Sequence, residues 1–87
     1  MQIGNARDLG RYVRDRRKVA GLSQAALAAK SGVSRRWLSD LEAGKPTVEV
    51  GLVFHVIKAL DLFVDIQPEP DLDFDLDTYL DNIGGGR

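Results

Sequence analysis

Residues 32–45, GVSRRWLSDLEAGK, place two adjacent arginines and a tryptophan directly after a serine that can cap a helix. Positive charge at a helix N-terminus is opposed by the helix dipole, so Arg35 and Arg36 point to an anionic ligand outside the chain. Arginine can donate two parallel hydrogen bonds to guanine O6 and N7 in the DNA major groove. The first turn of the second helix of a helix-turn-helix motif is the part that enters that groove. Counted along the motif, Leu27, Ala28, Val33, Leu38 and Leu41 face inward, with Gly32 at the turn. Ser34, Arg35, Arg36, Trp37, Ser39 and Asp40 are left largely outside. The plainer alternative for the arginines is a solvated helix start. For Trp37, contact with DNA and packing against the protein stand nearly even.

No other residue set offers chemistry. There is one histidine and no cysteine, so neither a disulfide nor a structural zinc is expected. No Ser/His/Asp, Cys/His or metal-ligand constellation occurs, and the alternating aspartates after residue 70 sit on a segment not expected to hold fixed geometry. The expectation is a binding protein with no cofactor, not an enzyme. His55 lies beside the apolar stripe of a helix and reads as core-edge or dimer-interface packing. Gly84-Gly85-Gly86 has no strand before it or helix after it and is not a phosphate loop.

Four helices must position the motif. Asn5 can cap a first helix from Ala6, with Asp8 in its first turn and Gly21 at its end. Its apolar face would carry Ala6, Leu9, Val13 and Ala20, with Tyr12 and Arg16 at the margin and Arg7, Arg11, Arg14 and Lys18 opposite. Ser23 caps a second helix, QAALAAKS, that stops at Gly32. Ser34 caps a third that runs to about Ala43, with Gly44 just beyond. Pro46 to Val50 alternates and reads as extended. Gly51 is then taken as the N-cap of a fourth helix with Leu52, Val53, Val56, Ile57 and Leu60 on its apolar stripe.

Residues 62–67, LFVDIQ, are β-branched and aromatic and are stopped by Pro68 and Pro70, so they read as one short strand. No second strand is evident in the chain. Leu62, Val64 and Ile66 share one side, and the expected partner is the same strand of another copy. The organisation is therefore a domain over residues 1–61, a dimerisation strand over 62–67 and an acidic flexible tail over 68–87. In that tail Leu72, Phe74, Leu76, Tyr79 and Leu80 alternate with acids, a composition common in segments that order only on binding.

The net charge of −1 conceals an asymmetry. Residues 1–60 hold eleven Lys and Arg against five Asp and Glu (+6), and residues 61–87 hold one against eight (−7). A basic body with an acidic tail suggests two kinds of partner, one polyanionic. A chain of 87 residues buries only roughly 60% of its unfolded surface, and with disulfides and metals excluded, self-association is the remaining support. The start of the chain does not read as a signal peptide and no long apolar run occurs, so a cytoplasmic location without membrane contact is expected.

GLSQAALAAKSGVSRRWLSDLEAGKP resembles the phage-repressor-like helix-turn-helix family of small α-helical DNA-binding domains. The following TVEV and VIKALDLFVDI make residues 9–67 similar to the HipB-type antitoxins within it, which pair with a HipA-type kinase toxin and repress their shared operon. The resemblance implies that Ser23 and Gln24 contact phosphate and that Ser34, Arg35 and Arg36 reach base edges. It places Lys45 on the DNA backbone, and Arg17 and Glu42 in a buried salt bridge between the first and third helices. Trp37 departs from the small polar residue often found at its place; it could stack on a sugar, touch a thymine methyl or shield the helix.

The expectation is an all-α, four-helix repressor-like protein. It would bind double-stranded operator DNA as a homodimer and a HipA-like Ser/Thr kinase toxin through the tail. The alternative is a stand-alone regulator whose tail only solubilises or marks the protein for degradation. A third role, a module for protein contacts alone, is opposed by the paired arginines.

Overall fold

The computed structural model describes residues 2–69, which form four helices, α1 (Ala6–Val19), α2 (Gln24–Ser31), α3 (Arg35–Glu42) and α4 (Val50–Ala59). The expectations for residues 70–87, including Leu72, Phe74, Leu76, Tyr79 and Leu80, lie outside the described residues.

Three helices begin on the side chains expected from the sequence. Asn5 Oδ1 accepts from the Asp8 amide at 2.8 Å, Ser23 Oγ from Ala26 at 3.0 Å and Ser34 Oγ from Trp37 at 3.0 Å. Each satisfies one of the free amides at a helix start, an effect of about 1 kcal/mol. Helix α4 differs. Its cap is Glu49, with no side-chain bond to the helix, and Gly51 lies inside the first turn. The Gly51 N-cap and the extended reading of residues 46–50 are therefore corrected, since Pro46 and Thr47 form a turn and Val50 is already helical. A Cβ at Gly51 would meet nothing within 4 Å, so the glycine answers to no packing demand.

Helix α1 packs against α3, and α2 packs against both α3 and α4. Val13, Leu27, Leu38, Leu41 and Val56 are the fully buried side chains at the centre, with Ala28, Val53, Ile57 and Leu60 around them. Truncating one of the buried leucines to alanine costs about 2–5 kcal/mol in such a core. Leu9, Leu22, Val33, Trp37, Val48 and Leu62 cover the edges.

Two assignments on helix faces change. Ala20, expected on the buried face of α1, is an exposed C-cap residue, because the helix stops at Val19 and the chain turns away through Gly21 at φ +74°. His55 is exposed rather than at a core edge. In exchange, α1 buries Gly10 and Arg17 beside Val13. Gly10 is the crossing point with α3. A Cβ there would stand 2.2 Å from the Leu41 carbonyl oxygen and 2.9 Å from that of Glu42, so only a glycine lets the two backbones approach this closely.

Residues 62–67 pair with no strand among the described residues. Leu62 is tied to the end of α4, its amide donating to the Ile57 carbonyl at 3.0 Å. The backbone groups of residues 63–67 make no hydrogen bond among the described residues. Asp61, at φ +58°, turns the chain out of α4 in a conformation that aspartate tolerates better than most residues. Among the described residues no helix is long and apolar enough to cross a membrane.

Candidate nucleic-acid interface

Helix α3 is short, and eight residues of isolated helix would not persist in water. Burial of Leu38 and Leu41 holds it against α1 and α2, and Ser34 caps its start. With those two leucines inward, the remaining positions are placed by helical geometry. Ser34, Arg35, Arg36 and Ser39 are exposed, and Asp40 is half-buried. Neither guanidinium of Arg35 or Arg36 has a hydrogen-bond or ion-pair partner among the described residues. Arg35, Arg36, Ser39 and Asp40 line a shallow, open cleft of about 360 Å³. Two unpaired cations on a rigid helix start, beside a hydroxyl and a carboxylate, form a surface able to donate to an anion or to acceptor-rich base edges.

Trp37 stands apart from this group. It is half-buried and packs against the core. Part of its ring is spent on cohesion, and the remainder is open to solvent.

The position of α3 is secured at its other end by a polar knot. Arg17 Nε donates to Glu42 Oε2 at 2.7 Å and its Nη2 to Oε1 at 3.0 Å, a two-pronged pair with side chains only 11% and 4% exposed. Arg17 Nη1 donates to the Leu22 carbonyl at 2.8 Å, and Gln24 Nε2 donates to Glu42 Oε1 at 3.1 Å. Four points of the chain, the last turn of α1, the α1–α2 turn, the start of α2 and the end of α3, are joined through the Arg17–Glu42 pair. Its hydrogen bonds hold the Arg17 pKa above the ordinary arginine value, outweighing the opposite effect of burial. No buried side-chain polar atom in the described residues is left without a partner. Gln24 is thus engaged inside the knot through its amide, and Ser23 through its cap to Ala26.

Lys45 sits on the turn after α3, exposed, with Nζ 3.6 Å from Asp40 Oδ2. That turn is made by Gly44 at φ +86°, whose open side faces the Arg7 backbone: a Cβ would come within 2.9 Å of Arg7 Cα. One residue and one contact escaped the sequence reading. Gly10 carried a signal, since glycine inside a helix costs about 1 kcal/mol and calls for a close approach to justify it. The pairing of Asp40 with Lys45 carried none, because it depends on how the chain leaves α3.

A second surface is apolar. Ile3, Leu9 and Tyr12 on one side, Val50, Phe54 and Ile57 on another, and residues 61–66 on the third enclose an open groove of about 650 Å³. Phe63 and Ile66 are 86% and 88% exposed, and Val64 and Phe54 are about half exposed.

Residues 8–64 match the helix-turn-helix domain family. An uncharacterized HTH-type transcriptional regulator, y4mF, of Sinorhizobium fredii (strain NBRC 101917 / NGR234) is 43% identical over 65 residues, 75% of this chain and 86% of the relative. Among solved structures, a HipB–O4 20mer complex contains a chain that superposes with a TM-score of 0.75 at 20% identity, covering 80% of this chain and 99% of that one. A HipA–HipB–O2–O3 complex gives the same score, identity and coverage. At that identity the likeness is one of fold, and it is the repressor-like four-helix fold expected from the sequence.

Proposed function

Since the chain belongs to the helix-turn-helix domain family of DNA-binding transcriptional regulators, we propose that it is a sequence-specific repressor that serves as the antitoxin of a HipBA-like operon. The observation that carries the DNA reading is the first turn of α3. Arg35 and Arg36 are exposed, unpaired and held on a helix whose far end is locked by Arg17 and Glu42. A positive pair at a helix N-terminus is stabilised when it meets the phosphates and guanine edges of a major groove. Ser34 and Ser39 flank the arginines toward the base edges, Lys45 on the turn after α3 serves the DNA backbone, and the start of α2 offers Ser23 and Gln24 to phosphate through backbone amides. Trp37 contributes its exposed edge.

The protein acts as a homodimer. Leu62, Val64 and Ile66 lie beside an apolar groove, and the unpaired backbone of residues 63–67 offers a row of donors and acceptors. Pairing with the same segment of a second copy would satisfy both at once. The antitoxin reading draws on the likeness to chains solved with HipA and HipB and on the alternating acidic and apolar sequence of residues 68–87, with Leu72, Phe74, Leu76, Tyr79 and Leu80 as the groups for a HipA-like kinase. A stand-alone regulator is the second reading, favoured by the 43% identical relative, whose name is that of a transcriptional regulator.

Binding assays on a duplex selected by the wild-type protein from a random pool test the first half. Arg35→Ala and Arg36→Ala should each lose about 1–3 kcal/mol on that duplex and relax the preference at one base pair. Lys45→Ala should weaken the selected duplex without changing which base pairs are preferred and flatten its salt slope by about one per protomer. Identical behaviour of all three on both duplexes would refute direct readout by α3. For the second half, deleting residues 68–87 should spare DNA binding and weaken a complex with a HipA-like kinase. A gain in DNA affinity instead would mark the tail as an internal competitor, and no change in either would leave the stand-alone regulator.

A further inference from the structure

All four helices close with the same backbone device. The amide of the residue after the closing turn donates to a carbonyl five positions back: Leu22 to Arg17 at 3.1 Å, Val33 to Ala28 at 3.0 Å, Lys45 to Asp40 at 3.0 Å and Leu62 to Ile57 at 3.0 Å. This arrangement lays the donor's side chain over the acceptor residue, and an apolar contact commonly fills the space. Leu22, Val33 and Leu62 conform, each half-buried against the core. At the end of α3 the rule is broken. The place is taken by Lys45, whose ammonium rests 3.6 Å from the Asp40 carboxylate, the two side chains 55% and 40% exposed.

Such an exposed pair contributes almost nothing to stability. Its location is what gives it meaning. Asp40 follows Arg36 by one helical turn and lines the same cleft as Arg35, Arg36 and Ser39. A carboxylate on the face that approaches a polyanion is repelled, and it also neutralises the nearest lysine. Both effects weaken attraction to every DNA sequence equally. They are offset only where a base edge presents a hydrogen-bond donor to the carboxylate, and in the major groove cytosine N4 is the donor that Asp accepts from.

We propose that Asp40 is a specificity-determining residue of this interface, cancelling the phosphate attraction of Lys45 on non-cognate DNA and accepting from a cytosine amino group on the cognate site. The inference rests on the DNA-binding reading above. On a non-cognate duplex the Asp40–Lys45 pair adds no net charge, so Lys45 releases little counterion. On the cognate duplex Asp40 turns to the base, and Lys45 is freed for the adjacent phosphate.

The test compares wild type, Asp40→Asn and Asp40→Ala on a duplex selected by the wild-type protein and on a scrambled duplex of equal length, over a salt series. Both variants should bind the scrambled duplex several-fold tighter, with a salt dependence steeper by about one counterion per protomer. Asp40→Ala should lower the ratio of selected to scrambled affinity about tenfold or more, and repeat selection should lose a cytosine at one position. Asp40→Asn, whose Oδ1 still accepts, should keep that cytosine in part. In a Lys45→Ala background the change in salt slope should vanish. Equal gains on both duplexes with the same selected sequence would overturn the proposal, leaving Asp40 a general surface charge. Equal losses on both, with a lowered melting temperature, would overturn it in favour of a structural role. If the wild-type protein selects no sequence at all, the DNA-binding reading fails and this inference with it.

Discussion

Two surfaces of this small protein leave costly groups in water, and they do so in opposite ways. At the start of α3 the exposed groups are charged and the scaffold beneath them is over-determined: a serine cap, two fully buried leucines, and a knot of four hydrogen bonds at and around Glu42. At Phe54, Phe63, Val64 and Ile66 the exposed groups are apolar, and the backbone of residues 63–67 is tied to nothing in the described residues. Charged recognition needs fixed geometry, since a hydrogen-bonded fork misplaced by an ångström loses its selectivity. An apolar segment with unsatisfied backbone needs no such internal support, because a partner strand supplies geometry and burial together.

That contrast can be broken most forcefully at the knot. Arg17→Ala would strand a Glu42 carboxylate that is almost wholly buried, and thermal or denaturant unfolding should show a loss of about 3–5 kcal/mol. DNA affinity per folded molecule should change much less. Because the Arg17 pKa is raised, the stabilisation is present below the ordinary arginine pKa and is lost only as pH climbs beyond it. Across neutral pH the wild-type contribution should be flat. An Arg17→Ala protein that melts like its parent would show that the scaffold under α3 is not held this way.

Next in size is Gly10→Ala, which drives a methyl into two carbonyl oxygens of α3. Alanine would normally favour a helix interior, so the direction of change is diagnostic. Destabilisation of about 3 kcal/mol is expected from overpacking, against a gain of about 1 kcal/mol if propensity alone mattered. Equilibrium unfolding in urea decides between them.

The apolar surface should respond differently. Val64→Asp or Ile66→Asp alters side chains that touch little within one chain, so the far-ultraviolet helical signal should persist. The dimer should weaken about tenfold or more, roughly 1.4 kcal/mol, seen as a shift to monomer in sedimentation at micromolar concentration. The concentration dependence of melting should fade with it. A wild-type protein that sediments as a monomer under those conditions would remove the basis of the comparison.

Most of the helical framework could be read from residue order. Asn5, Ser23 and Ser34 cap where they stand, Gly21, Gly32 and Gly44 turn the chain after α1, α2 and α3, and the spacing of Leu27, Leu38 and Leu41 assigns their inward faces. These are local decisions, made by groups within four residues of one another. The start of α4 was misread for the same reason. Gly51 looks like a cap on local grounds, yet Val50 is drawn into the helix beside Val53 and Phe54, and Glu49 takes the cap position without a side-chain bond.

The site divides along the same line. That Arg35 and Arg36 would project, and that Leu38 and Leu41 would not, follows from a period of 3.6 residues and needs no tertiary knowledge. The sequence by itself therefore determined the four helices, the exposed arginine pair and the separation of a basic body from an acidic tail, since each depends on neighbours in the chain. Tertiary structure alone decided that Gln24 turns its amide to Glu42, that Gly10 marks the crossing of α1 and α3, and that Asp40 meets Lys45. Each of those contacts depends on where a helix ends and at what angle the next segment passes, which is settled by packing between elements and not by the propensity of either one.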